Sequence, residues 1–291
     1  MKILRGHDVA ALAYLALLSA IVLVVRPPGT ALYLLGHAAA AGVVLGLATA
    51  HARSDGRFWR GARYWYIVPF VLCAFRELHY LIPHVHPFDD RHFDRILGDL
   101  DTRWFGDVSG FWLRHLTPAA ADVLHLCYWS YYVSLVVLGA LLHRRGEWEK
   151  MGEFVSIVLV SLLVSYVGYF VVPAVGPHHF YPSRPAILDG WLIGGPLHRT
   201  MASLELRMAD AFPSGHTLMS LVLLYLARRH FPPRVFWITL PMAAGCVLAT
   251  VALRYHYVAD LAASFALFPA CVWLGLRLDR KFRPEASLPA S

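Results

Sequence analysis

The sequence predicts an all-α polytopic integral membrane protein, a helical bundle of about eight transmembrane helices. Three observations carry that expectation. Of 291 residues, 58% are hydrophobic and only 15% charged, a balance outside the range of soluble domains. The apolar residues gather in blocks close to the ~20 residues a helix needs to cross a bilayer. Those blocks are continuously apolar instead of alternating, which sets aside a transmembrane barrel.

The blocks run, in order, over 9–25, 31–50, 64–82, 119–142, 153–172, 213–230, 235–253 and 256–276. The first ends at Arg26-Pro27-Pro28-Gly29 without a small-x-small site ahead of the turn, so it reads as a retained helix and not a cleaved signal. The third carries Arg76, Glu77 and His79, and ionisable groups at that depth line a cavity or pair with each other. Segment 83–118 mixes charges with Trp104, Phe105, Phe111 and Trp112, as a helix lying in the interface does. Its His84, His86, Asp89, Asp90 and His92 are donors of the kind zinc takes, but Pro87 interrupts them and no ligand spacing holds; the segment reads as a solvated loop. The fourth block opens with Asp122 and His125, suited to a cavity wall or a helix-end contact. It continues through Tyr128, Trp129, Tyr131 and Tyr132, read as an interfacial belt. Pro173-Ala174-Val175-Gly176-Pro177 stops the fifth. Cys73, Cys127, Cys246 and Cys271 all lie inside apolar blocks without CxxC spacing, as small buried hydrophobes do.

Charge sets the orientation. The net charge is +7, yet its distribution points away from nucleic acid. Eight crossings place 1–8, 51–63, 143–152, 228–234 and the tail from 277 on one side, and these short segments hold 16 of the 26 Lys and Arg residues. Short basic loops mark the cytoplasm, where they meet anionic lipid. Both termini are expected inside, in a cytoplasmic membrane of bacterial type. Segment 173–212, Ser214 and the 254–256 turn then share the extracytoplasmic face. No obligate protein partner is evident.

Two motifs open apolar blocks on that shared face: Phe212-Pro213-Ser214-Gly215-His216-Thr217, and Arg254-Tyr255-His256-Tyr257-Val258-Ala259-Asp260. Ser214 fits an N-cap, and the first turn behind it presents unpaired N–H groups and the positive end of the helix dipole. Such a turn binds phosphate, and Gly215 permits close approach. His216 then sits beside the anion, placed to protonate a leaving oxygen. His256 and Asp260 are four apart and share a helical face. A carboxylate on one imidazole nitrogen fixes the tautomer and leaves the other as a nucleophile. Arg184, Arg254, His178 and His179 are candidates, by location, to grip phosphate oxygens.

These two motifs at this spacing resemble the type 2 phosphatidic acid phosphatase superfamily of membrane enzymes, over roughly 150–275. The resemblance implies a six-helix core with two added N-terminal helices, divided as 1–60 accessory helices, 61–280 catalytic membrane domain and 281–291 cytoplasmic tail. It implies that His256 attacks phosphorus and becomes a phosphohistidine, that Asp260 is its partner and His216 the general acid, and that neither metal nor other cofactor is needed. Where the family's phosphatases carry a lysine ahead of Arg-Pro, this chain has Pro177 before Arg184-Pro185. Where they carry Ser-Arg, it has Ala249-Thr250. The stretch 249–257 and the turn at 173–177 look more like the inositol phosphorylceramide synthase branch, which moves a phospho-headgroup between lipids. The expected activity is therefore phosphotransfer between membrane lipid phosphates, with lipid phosphate hydrolysis as the first alternative and a non-enzymatic lipid-phosphate carrier or flippase as the second.

Overall fold

The computed structural model describes residues 3–54, 56–87, 92–180, 184–204 and 209–283. Its elements are α1 (Gly6–Val25), α2 (Thr30–Arg53), α3 (Arg57–Trp65), α4 (Ile67–Val85), α5 (His92–Phe105), α6 (Val108–His115), α7 (Pro118–Arg145), α8 (Trp148–Val171), α9 (Gly194–Leu204), α10 (Gly215–His230), α11 (Pro233–Ala252) and α12 (Val258–Phe282). No strand occurs among the described residues.

Two departures from the expected spans have physical causes. The third span is two helices meeting at Tyr66. Pro69 stands in the first turn of α4, where its ring lacks an N–H and crowds the carbonyl four residues back. Together Arg57–Val85 is long and apolar enough to cross, and among the described residues seven segments meet that standard. The expected eighth, α10, has 16 residues, about 24 Å. It is enclosed by α7, α8, α11 and α12, and it starts below the loops that roof its N-terminus, so it has less depth to cross.

α8 forms the centre, buried along most of its length and packed on α1, α4, α7, α10 and α12. The α1–α2 hairpin lies at the periphery: α1 packs on α8 and α12, and α2 on α1. At the basic end, two cations counted as loop charges in the sequence are paired to carboxylates. The buried Arg63 holds the buried Asp8, and Arg229 holds Glu153. At the opposite end α5 packs on α12, α6 on α11 and α9 on α7, and with two short 3₁₀ turns (Pro177–Phe180 and Ala186–Asp189) they form a roof. α5 is therefore more than an interface helix. Its buried Asp94 accepts from the Val175 and Gly176 N–H groups and from the Tyr257 hydroxyl, and its Asp101 accepts from Val258 and Ala259 at the start of α12.

Candidate active site

The two sequence motifs are joined by their own backbone. Ser214 caps α10, its Oγ accepting from the Thr217 N–H at 3.2 Å, while its N–H donates to the Asp260 carbonyl. Ser264 donates to the carbonyls of both Ser214 and Asp260 at 2.9 Å. This hydroxyl lies one turn beyond Asp260 on the same face of α12, and that i+4 spacing is the sequence signal that could have found it. The 173–177 turn closes against the second motif: Gly176 has φ +103°, and a Cβ there would lie 2.4 Å from the Tyr255 carbonyl oxygen. Only glycine meets both conditions.

His216 and His256 line one cavity, their ring centroids 6.1 Å apart. His256 Nδ1 lies 2.8 Å from the Ala211 carbonyl and 3.3 Å from Asp260 Oδ2. Both partners only accept, so Nδ1 carries the hydrogen and the Nε2 lone pair is left free. The nearer partner is the carbonyl. Asp260 also accepts from the Tyr257 N–H at 2.9 Å, which holds it in the first turn of α12. His216 stacks on Tyr128 at 3.8 Å and meets Tyr131 edge-on at 4.7 Å. Its Nε2 makes no hydrogen bond among the described residues. The tyrosines read as an interfacial belt thus belong in part to the site: Tyr128 and Tyr131 are buried around the general-acid candidate.

The remaining sequence candidates divide. Gly215 lines the cavity and lies against the Tyr169 hydroxyl. His178 lines it as well; the side chain of His179 lies outside the described residues, as do Asp89 and Asp90. Arg184 is not brought to the cavity wall. Its guanidinium bonds Asp189 Oδ1 at 2.8 Å and the Leu188 carbonyl at 3.1 Å. Arg254 is buried in the α11–α12 turn in a left-handed conformation, φ 65°, the kind of strained backbone that recurs at functional turns. Asp122 accepts from four consecutive N–H groups, Trp191 to Gly194, and His125 bonds the Leu188 carbonyl, so both brace the roof. Among the described residues no group of three or more His, Cys, Asp or Glu is arranged to hold a metal ion.

Two polar groups, one on the cavity wall and one behind it, have no motif to announce them. Asp210, just ahead of Ala211, lines the cavity; loss of water raises its carboxyl above the usual range, against the pull of His79 and His256. His198 on α9 bonds the Tyr255 hydroxyl at 2.9 Å, and burial, then the Arg184 cation, push its imidazole down to about 4.

The cavity holds about 560 Å³, enough for a lipid-sized ligand. Its walls are mostly apolar and follow α4, α7 and α8, from Trp65, Gly139 and Met151 at one end to His216 and His256 at the other. On α8 it extends from Met151 to Tyr169, about 27 Å of helix against a hydrocarbon core of about 30 Å. It is a long apolar slot with two imidazoles at its polar end.

Searches among curated proteins and among solved structures give no match. A family model described as the PAP2 superfamily matches residues 96–274, more than half of the chain and including both histidine motifs. The chain belongs to the PAP2 superfamily of membrane phosphatases and phosphotransferases.

Proposed function

We propose that this protein is a membrane phosphotransferase that moves a phospho-group from one lipid phosphate ester to a hydroxyl acceptor through a phosphohistidine at His256. The observation that carries the proposal is the shared cavity: two imidazoles face one another across 6.1 Å, one with its tautomer fixed for attack, at the head of a long apolar slot.

In the first half-reaction His256 Nε2 forms a bond to phosphorus as the bond to the leaving oxygen breaks, and His216 gives that oxygen its proton. The α10 N-terminus faces the charge building on the equatorial oxygens. The departing product leaves the imidazole phosphorylated. In the second half-reaction His216, now neutral, takes the proton of the acceptor hydroxyl, whose oxygen attacks phosphorus and frees His256. Loss of water raises the Asp210 carboxyl, which lessens the repulsion between this cavity-wall group and a phosphoryl oxygen. With water as acceptor the same steps make a lipid phosphate phosphatase. The turn at 173–177 and the stretch 249–257 favour a lipid or polyol hydroxyl, by their resemblance to the inositol phosphorylceramide synthase branch. The charge asymmetry of the loops supports an active site on the extracytoplasmic face, with both termini in the cytoplasm.

The test is product identity. Detergent-solubilised protein is given labelled phosphatidic acid, phosphatidylinositol and isoprenyl diphosphate, each with and without diacylglycerol or ceramide. Label appearing on the added acceptor supports transfer, whereas free phosphate with every substrate supports hydrolysis. Movement of lipid across a vesicle membrane without bond cleavage, in both wild type and His256→Ala, would replace the enzyme with a carrier.

A further inference from the structure

α4 and α7 each pack on α8 but barely touch one another, so the slot opens sideways between them. Leu72 and Val136 stand exposed on its two walls. Arg76 lines the same cavity and is exposed. Among the described residues nothing bonds its guanidinium. The adjacent carboxylate is engaged elsewhere: Glu77 Oε1 lies 2.6 Å from His37 Nε2, whose Nδ1 meets Ser19 at 2.9 Å. An unpaired cation at hydrocarbon depth is costly, and a residue retained there faces a pathway or a ligand.

Its depth says which part of a ligand it meets. Phe75 rests on Tyr166 at 5.6 Å, and the Tyr166 hydroxyl donates to the Val71 carbonyl. Tyr169, which meets Gly215 at the head of α10, is about one turn farther along α8. Arg76 therefore lies about one turn below the reacting level, between the apolar slot and the histidines. A chain lying in the slot with its terminal phosphate at His256 brings the group that joins chain to phosphate up to Arg76. In a glycerolipid monophosphate that group is neutral ester. In a lipid diphosphate it is a second phosphate.

We propose that Arg76 forms a second anion subsite that takes the chain-proximal phosphate of a lipid diphosphate while the terminal phosphate sits at His256. The assignment rests on the phosphohistidine reading above and narrows its substrate. His256 Nε2 bonds the terminal phosphorus and the bridging P–O bond breaks. The electron pair stays on the bridging oxygen, which takes the His216 proton, and the lipid monophosphate departs with its remaining charge held by the Arg76 guanidinium, which binds phosphate oxygens through paired N–H groups. Water or a hydroxyl then takes the phosphoryl group from His256 and gives up its proton to His216.

The test compares farnesyl diphosphate with farnesyl monophosphate, which share one chain, on the full-length protein in mixed micelles. Arg76→Gln is expected to lower kcat/KM for the diphosphate at least tenfold more than for the monophosphate, and Arg76→Lys to recover part of that difference. Equal losses on both substrates, or no loss on the diphosphate, would overturn the subsite. Binding is read independently of turnover, as the rise in thermal midpoint with farnesyl bisphosphonate and farnesyl phosphonate. Arg76→Gln should remove the preference for the bisphosphonate, and a retained preference counts against Arg76. Wild-type protein that turns over neither farnesyl substrate but keeps an Arg76-dependent bisphosphonate preference would overturn the enzymatic reading while leaving the anion subsite standing.

Discussion

In the proposed mechanism His256 acts through the nitrogen that its surroundings leave free. Two acceptors hold Nδ1, the Ala211 carbonyl at 2.8 Å and Asp260 at 3.3 Å, so deleting the carboxylate does not release the ring. Asp260→Asn is therefore expected to lower kcat by about 10- to 100-fold, because the orientation survives and only the charge behind the imidazole is lost. His256→Asn removes the nucleophile itself and should cost at least ~10⁴-fold. Measuring both variants on one lipid phosphate separates the roles. Equal losses would mean that the carboxylate, not the carbonyl, fixes the ring. The sequence showed the i, i+4 pair but hid the carbonyl: Ala211 lies 45 residues away in the chain, and an alanine backbone oxygen has no signature.

At the scale of elements, the site depends on how closely α8 and α10 approach. A Cβ on Gly215 would sit 2.5 Å from the Tyr169 hydroxyl, so Gly215→Ala must push α10 away or turn the ring. The expected cost is about 1–3 kcal/mol, seen as a lower thermal midpoint with reduced activity. Adding Tyr169→Phe removes the clashing oxygen and should recover part of the stability; no recovery would place the strain elsewhere. The roof has its own pH response. His198 joins α9 to Tyr255, and its imidazole is pushed from 6.5 down to about 4. Between those values the unfolded chain takes up a proton that the folded chain refuses, so this contribution is full above pH 6.5 and falls as pH drops toward 4. The thermal midpoint of wild type should decline from about pH 7.5 to about 4.5 more steeply than that of His198→Gln. Parallel declines would remove His198 from the account.

Over the whole molecule, a lipid chain lying in the slot as proposed would make activity depend on chain length. Gly139 lies at its far end, where an added Cβ would meet Trp65 at 3.5 Å and Phe154 at 3.6 Å. Gly139→Leu fills the last part of the slot, displacing about two methylenes at ~0.8 kcal/mol each, so kcat/KM for long-chain substrates should fall about tenfold relative to short-chain ones. A uniform effect across chain lengths would put the chain elsewhere. Much of this architecture was legible beforehand. Continuous apolar blocks marked the long helices because a bilayer demands them, and Pro-Ser-Gly-His with His-x-x-x-Asp marked the two helix starts that meet at the cavity, because capping and helical spacing are local. Long-range contacts were not legible. Tyr128 and Tyr131 look like belt residues until α7 turns them onto His216. Asp94 and Asp101 look like solvated charges until α5 folds over α12, and the pairing of Arg184 with Asp189 has no spacing to announce it. A phosphohistidine at His256 is tested by quenching the protein during turnover of a lipid bearing labelled phosphate and mapping the label. His256 is expected to carry acid-labile, base-stable label that is absent from His256→Asn. Turnover with no protein-bound label in rapid-quench samples, or label on any other residue, would contradict it.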